Sequence, residues 1–511
     1  MSKITSYLHE LKSRNKIITV LLFLSIIVIS TAPVVFSPLV SMTDLPNHIA
    51  RHHVLFNFGH GMAIDRFFDV QWRWIGNMGI DLPVMLLMNW TDAEIATRIA
   101  IAFIAPLMVV ALLALSYAAH GRVSSSAMIA MPLVFHHVYM YGFVNYSLSM
   151  ALAFLVLAVW LMRPPKSWLG GVAYGLAAVA VWTAHLGGWS ILLVAAGCCE
   201  LARLRSFRDI GRGIGRVFPF LLPVVPLLLW RGDAGNAPLF SWTEENIVQI
   251  KILNFVTVLR GYSRIPDLLT TGAIGLLAVL ALFWSGRRVD GRLLAAGLGL
   301  CLMAIVMPTT VIGSWGADFR LVPAGVILTL LSLAPCTDAR RERLLFSIGL
   351  ALFLARTVGI AASWHSASAV LEGRLSLLDE VPSGSRLGYI AVRSGCRYPW
   401  ALDPNEHVSA FAIVRRDSFT NTMFKVEGTD LMTIRDPGDR KKWYNASEDV
   451  MALCPQGGID RPALKQRIAD MAHDDFNMIW IWGAPADEID LPAGYRIRAV
   501  RNDDVLIGRP E

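Results

Sequence analysis

The sequence predicts a polytopic α-helical membrane protein of about eleven transmembrane helices with a C-terminal extracytoplasmic α/β domain, and three observations predict it. Of 511 residues, 55% are hydrophobic and only 17% charged, with mean hydropathy +0.51, whereas soluble chains carry about a quarter charged residues. Apolar stretches long enough to cross about 30 Å of hydrocarbon as helices recur through the first 360 residues. Charge also divides the chain: residues 1–362 carry 28 Lys and Arg against 17 Asp and Glu, and residues 363–511 carry 18 against 22. A single soluble domain is excluded. The pI near 9.1 reflects basic loops between apolar segments, not a nucleic-acid surface.

The elements follow in order. A basic leader with Lys3, Lys12, Arg14 and Lys16 precedes an apolar run over 17–36, longer than the core of a cleavable signal, and is expected to be an uncleaved helix with its amino end inside. Residues 37–94 form a first external loop, where Asp44, Asp65, Asp69 and Asp81 alternate with Trp72, Trp74 and Trp90, a pattern suited to short interfacial helices. A second crossing covers 95–118. Residues 124–162 would be about 58 Å long as one helix, too long for a single crossing, so a hairpin turning near 139–145 is expected. A second hairpin over 167–201 is expected to break at Gly187-Gly188 and to end in the inner arginines Arg203, Arg205, Arg208, Arg212 and Arg216.

The seventh crossing, 214–230, is interrupted by Pro219, Pro223 and Pro226, which membrane bundles tolerate. It leads to a second large external loop, 231–267, and then to crossings at 268–284, 293–312, 321–333 and 344–362. This parity gathers 18 Lys and Arg into short inner segments. It implies a multi-pass membrane protein with a cytoplasmic N-terminus, a transmembrane domain over 1–362 and an extracytoplasmic domain over 363–511. Within that tail, strand-like runs at 386–392 and 477–482, a helical stretch at 463–473 and a hairpin across 495–507 indicate a small α/β fold. Cys396 and Cys454 are the two tail cysteines; an oxidising compartment allows a disulfide there, and sequence cannot establish it.

Ionisable groups at membrane depth are expensive enough to be functional candidates, and here they collect on the outer side. Asp44, Asn47, His48, Arg51, His52 and His53 follow the first helix; His136, His137, Tyr139, Tyr141 and Asn145 sit at the first hairpin's turn; His185 lies at the second; Asp318 and Arg320 lie between the ninth and tenth crossings. Pro46 places Asp44 at the entry of a short helix, with His48 and Arg51 within two turns. Asp44 is therefore either an N-cap or a chemical group in a water-filled outer cavity. His136, His137 and His185 admit a divalent metal, but adjacent histidines point to different sides of a helix, so no metal ligand set is assigned. Tyr139, Tyr141, Trp182 and Trp189 suit sugar stacking, yet interfacial aromatics are expected in any membrane protein.

Taken together, the crossings, the long first external loop opening on an acidic residue, and the external tail resemble the C-type-fold (GT-C) glycosyltransferases. The segment Asp44-Leu45-Pro46-Asn47-His48 is also similar to Asp-x-Pro-Asn-His-x-x-Arg stretches of bacterial membrane proteins of unassigned substrate. The resemblance implies inverting transfer of a sugar from a polyprenyl-phosphate carrier to a glycan, lipid or protein acceptor, with Asp44 as general base. Several such families have two adjacent acidic residues here, whereas Asp44 is followed by Leu45, so His48 is expected to assist Asp44 or to bind donor phosphate. Arg320 is the first choice for the phosphate because a guanidinium holds its oxygens in two hydrogen bonds, with a snorkelling anchor as the competing role. Arg51 is a second candidate, and Lys251, Arg260 and Arg264 are weaker ones. Asn47, His52, His136, His137, Tyr141, Asn145, His185 and Asp318 are expected to line the substrate pocket. The rival reading, a transporter or flippase of a lipid-linked or anionic solute, calls for inverted halves and midplane charges, and the sequence displays neither. A receptor for cell-wall material is a third reading, which leaves the membrane histidines unexplained.

Overall fold

A computed structural model of the protein describes residues 17–230, 240–242, 246–311, 314–392, 400–402, 405–423, 430–435 and 461–510. The basic leader, the start of the second loop (231–239), Cys396 and Cys454 lie outside the described residues. Among the described residues, four helices are long and apolar enough to cross a membrane: Ala93–His120, Val144–Met162, Arg264–Trp284 and Ala339–Glu380. Shorter apolar helices cover Ile17–Ile29, Trp168–Ala184, Leu186–Leu201, Ile247–Val256 and Gly291–Val306.

Several expected crossings are built from pieces, for local reasons. The first arm of the 124–162 hairpin is a helix Ser125–Ala130, a tighter turn Met131–Phe135 containing Pro132, and a helix His137–Tyr141, because proline lacks the N–H that would continue the ladder. The proline-rich run 214–230 divides likewise into Ile210–Val217, Phe218–Leu221 and Val224–Trp230. The second hairpin turns at His185 instead of Gly187-Gly188. His185 is extended (φ −169°, ψ 136°) and its side chain caps the next helix. Gly188 instead sits inside that helix, where an added Cβ would lie 2.0 Å from Ser149 Oγ, so its smallness allows close helix packing. Gly297 does the same between Gly291–Val306 and Ala317–Leu331: a Cβ there would lie 2.8 Å from the Gly325 carbonyl. The helix Ala339–Leu375 runs 37 residues, about 55 Å, well past the expected end at residue 362 and into the tail.

Contacts between connecting segments fall into two sets. One joins Asp44 N–H to the Tyr141 carbonyl (3.0 Å), Met78 to Thr183 (2.9 Å), His137 to Val258 (2.8 Å) and Leu402 to Gly261 (3.0 Å). The other joins Ser125 to Glu342 (2.8 Å), His120 to the Leu331 carbonyl (2.9 Å) and Asp290 to Ser332 (2.7 Å).

The tail carries a five-stranded sheet in the order Phe419–Thr420, Arg386–Ala391, Met478–Trp482, Asp504–Gly508, Arg496–Arg501. The first two pairings are parallel and the last two antiparallel, with Leu387 opposite Met478 and Asp504 opposite Trp482. Alternation along Met478–Trp482 divides the interior, as the two-residue repeat of a strand requires. Met478 and Trp480 join the core continuous with the membrane helices, while Ile479 and Ile481 join a second core with Leu464, Ile468 and Met471 of the helix Arg461–His473. A short antiparallel ladder, Phe68–Val70 with Met432–Ile434, ties the first loop to the tail.

Candidate active site

The helix Leu45–Asn57 enters through Pro46 and is buried from Leu45 to Leu55. Its buried polar side chains therefore require partners. Arg51 forms ion pairs with Asp81 (2.7 Å) and Asp430 (2.7 Å). His52 bridges Asp81 (3.0 Å) and Thr97 (2.8 Å), His53 meets Asp417 at 2.9 Å, and Asn47 donates to the Thr422 carbonyl at 3.0 Å. Burial pushes the Asp81 carboxyl up, but Arg51 and His52 outweigh it and hold Asp81 below the usual carboxylate range. Arg51, a candidate phosphate ligand, is thus engaged by two carboxylates and fixes the first loop to the tail.

Asp44 occupies the N-cap position without capping. Its backbone is already helical (φ −85°, ψ −10°) and its side chain accepts no cap hydrogen bond, which removes the capping role considered from sequence. It retains 6% exposure, so it lies beneath cover and not in the open, water-filled cavity expected for it. The imidazole within ion-pair reach of Asp44 is His407 of the tail, whose Nε2 is 3.7 Å from Asp44 Oδ1. Burial first, and then the nearby Glu406 carboxylate, drive the Asp44 carboxyl well above its usual range, with Arg320 pulling the other way. His48 is hydrogen-bonded to the Gly142 backbone, and burial, with His52 and Arg51 adding to it, depresses its ring to about 3, so it is neutral at physiological pH. That makes His48 unsuited to pairing with phosphate as a cation.

Arg320 lies at the start of the helix Ala317–Leu331. Its Nη1 donates to Ser314 Oγ at 3.0 Å, its guanidinium sits 4.2 Å from the centroid of the Phe143 ring, and Tyr146 OH donates to its carbonyl oxygen. A carboxyl of raised proton affinity and a guanidinium thus act on one another at the entrance to the first loop helix. Among solved structures, the chain is similar to ArnT from Cupriavidus metallidurans bound to undecaprenyl phosphate, with TM-score 0.52 over 96% of this chain and 97% of that one, at 12% identity. The chain shares its fold with that ArnT structure.

The same ArnT in its apo state gives TM-score 0.48 at 12% identity over 96% of this chain and 97% of that one. The arabinofuranosyltransferase AftD from Mycobacteria gives 0.45 at 13% identity, over 95% of this chain and 39% of that one. No protein-family model matches the sequence and no curated protein matches it.

Within this ArnT-like fold most of the remaining candidates hold the loops. His136 caps its helix by accepting from Tyr139 N–H (3.1 Å), and His137 Nδ1 donates to the Arg260 carbonyl (3.2 Å). Asn145 accepts from Ile80 N–H (2.7 Å) and donates to the Asn77 carbonyl (3.1 Å), pinning the first loop to the hairpin. His185 caps through Gly187 N–H (2.9 Å) and packs edge-on against Tyr146. Asp318 pairs with Lys251 (2.7 Å) and accepts from Asn254 (3.2 Å). Tyr141 belongs to an aromatic group with Phe143 and Trp315, with Arg320 against its Phe143 member. Among the described residues, no three His, Cys, Asp or Glu side chains converge as a metal site would require. Sequence reasoning missed His407 and Glu406; neither lies beside an expected membrane crossing, and only the folding of the tail over the first loop brings them to Asp44.

Proposed function

We propose that the chain is an inverting membrane glycosyltransferase that moves a sugar from a polyprenyl-phosphate carrier to a glycan, lipid or protein acceptor at the outer face of the bacterial inner membrane. The observation that carries this reading is a buried Asp44 at the start of the first loop helix, with Arg320 close enough to act on its charge, in an ArnT-like fold. Undecaprenyl phosphate, bound in the ArnT structure, supports the carrier class. In this reading the chain crosses the membrane about eleven times with its tail outside, and the loop contacts described above support the parity.

Each part of the site has a task in that reaction. The acceptor hydroxyl oxygen bonds to the anomeric carbon from the face opposite the phosphate, and Asp44 takes its proton. A base with elevated affinity for a proton is suited to this, and such assistance contributes about 10²- to 10⁴-fold. The bond from the anomeric carbon to the phosphate oxygen breaks, leaving its electron pair on the carrier phosphate, and Arg320 balances that charge. Ser314 and Phe143 fix the direction of the guanidinium, and Tyr146 holds the backbone that carries it. Cover over Asp44 keeps water, a competing acceptor, away from the carboxylate.

The test is reconstitution of the full-length protein in vesicles supplied with a panel of polyprenyl-phosphate sugars and membrane extract as acceptor. Wild type transfers labelled sugar from at least one donor, and Arg320→Ala raises the donor KM about 10- to 100-fold, as loss of a charged hydrogen bond implies. An unchanged donor KM in Arg320→Ala removes its phosphate role.

A further inference from the structure

The tail segment that reaches Asp44 is tied down on both sides. Trp400 Nε1 donates to Asp267 (2.8 Å), and Asp267 is paired with the buried Arg356 (2.7 Å). Arg260 donates to the Trp400 carbonyl (2.8 Å), and Leu402 N–H donates to Gly261 (3.0 Å). Further along, Arg374 holds the Asn405 side chain (2.7 Å) and Tyr389 OH donates to the Asn405 carbonyl (3.0 Å). Beyond His407, Ser409 is hydrogen-bonded to Thr420 (2.8 Å) and Thr422 (2.7 Å). Loops anchored this often hold a side chain in place instead of merely covering a surface.

The partner on the far side of the ring fixes its chemistry. His407 Nδ1 lies 3.1 Å from the Thr422 carbonyl oxygen, which can only accept, so Nδ1 carries a proton. In the neutral ring Nε2 then presents a lone pair, and it is this atom that faces Asp44 Oδ1 at 3.7 Å. The Thr422 carbonyl also accepts from Asn47 (3.0 Å), so one backbone oxygen aligns both the helix that carries Asp44 and the imidazole.

We infer that His407 is a positioning residue and proton acceptor for Asp44, so that the C-terminal domain completes the reaction centre. The inference rests on the glycosyl-transfer reading above. Asp44 takes the proton as the acceptor oxygen bonds to the anomeric carbon and the carrier phosphate departs with its electron pair. The proton then passes from Asp44 Oδ1 to His407 Nε2, giving an imidazolium and restoring the carboxylate, and leaves to water after product release. A separation of 3.7 Å shortens to hydrogen-bond length on substrate binding, as catalytic contacts do. The charged groups facing Asp44 are Glu406 and His407 from the tail and Arg320 from the helix Ala317–Leu331.

His407→Asn separates this role from a structural one. Its amide still donates to the Thr422 carbonyl but places no basic nitrogen toward Asp44; His407→Gln serves as the second variant if the first fails to fold. The full-length protein in lipid nanodiscs is followed by infrared difference spectroscopy across pH, with the Asp44 carboxyl band assigned by its loss in Asp44→Asn. The protonated band is expected to persist about one pH unit or more higher in His407→Asn than in wild type, because the neighbour that draws off the proton is gone. With any donor the wild type accepts, kcat falls at least about 10-fold with KM unchanged. A band that titrates as in wild type in both variants overturns the inference. Failure of the wild type to transfer any sugar contradicts the glycosyl-transfer reading, and the infrared titration still decides the coupling.

Discussion

Gly142 lies so close to Asp44 that a Cβ on it would stand 3.0 Å from both the Asp44 Cβ and its backbone nitrogen. Gly142 also has φ +111°, a conformation that side chains rarely adopt, and the preceding carbonyl of Tyr141 accepts from Asp44 N–H at 3.0 Å. The hairpin turn is therefore the seat on which the carboxyl rests. Gly142→Ala is expected to destabilise the protein by about 1–3 kcal/mol and to lower sugar transfer at least about 10-fold through misplacement. Thermal unfolding and turnover in vesicles check this; an alanine variant that matches wild type in both would disconnect the turn from the site.

Asp44→Asn separates function from stability. A carboxyl whose folded affinity for protons is raised costs stability at any pH above its folded pKa and costs nothing below the unfolded value near 4. At neutral pH the asparagine removes that cost, so the variant is expected to unfold at the same or a higher temperature than wild type. Below about pH 4 the advantage disappears. Unfolding curves at both pH values measure it, and a clear loss of Tm at neutral pH would contradict the assignment of Asp44 as a strained, buried acid.

The acid limb of the pH–activity profile reports the same group. Because Glu406 raises the Asp44 carboxyl and Arg320 lowers it, Glu406→Gln is expected to move the acid limb of kcat/KM to lower pH. Arg320→Gln moves it to higher pH, beyond its effect on donor affinity. Limbs that stay in place, or move together in one direction, would show that Asp44 does not govern the rate.

Arg51 and Asp81 are 3% and 0% exposed; removing Arg51 leaves the buried Asp81 and Asp430 carboxylates without their shared cation, and removing Asp81 leaves Arg51 with Asp430 and His52 without its carboxylate. Asp81→Ala is expected to cost about 3–5 kcal/mol and to loosen the first loop, and Arg51→Met to destabilise in the same direction. In Arg51→Met protein that remains folded, donor KM should change less than about threefold, well short of the Arg320→Ala effect. Normal stability with a large KM effect in Arg51→Met would return Arg51 to the phosphate.

Much of the frame is legible in the sequence because hydropathy and proline are local signals. The tail's elements are local too: the strands Arg386–Ala391 and Met478–Trp482, the helix Arg461–His473 and the hairpin of Arg496–Arg501 with Asp504–Gly508 lie where alternation and periodicity place them. Local rules misplace the second hairpin's turn, since Gly187-Gly188 signals a break while the extended, capping His185 makes it and Gly188 is reserved for Ser149. They also end the last membrane helix too early, because the polar residues after 362 remain helical with Ser368 and Leu371 on a buried face, Ser368 Oγ accepting from Leu39 N–H (2.9 Å). The entry position of Asp44 is legible. The engagement of Arg51 by Asp430 and the approach of His407 are not, because both depend on contacts across more than 350 residues of chain.

The central claim, that Asp44 is the base for transfer from a lipid phosphate, is tested most directly by single-turnover transfer of labelled sugar from a polyprenyl-phosphate donor in vesicles, comparing wild type with Asp44→Asn at saturating donor. A fall of about 10²- to 10⁴-fold in the transfer rate, with the variant folded and still binding undecaprenyl phosphate, is the expected result. Transfer by Asp44→Asn at the wild-type rate would contradict it.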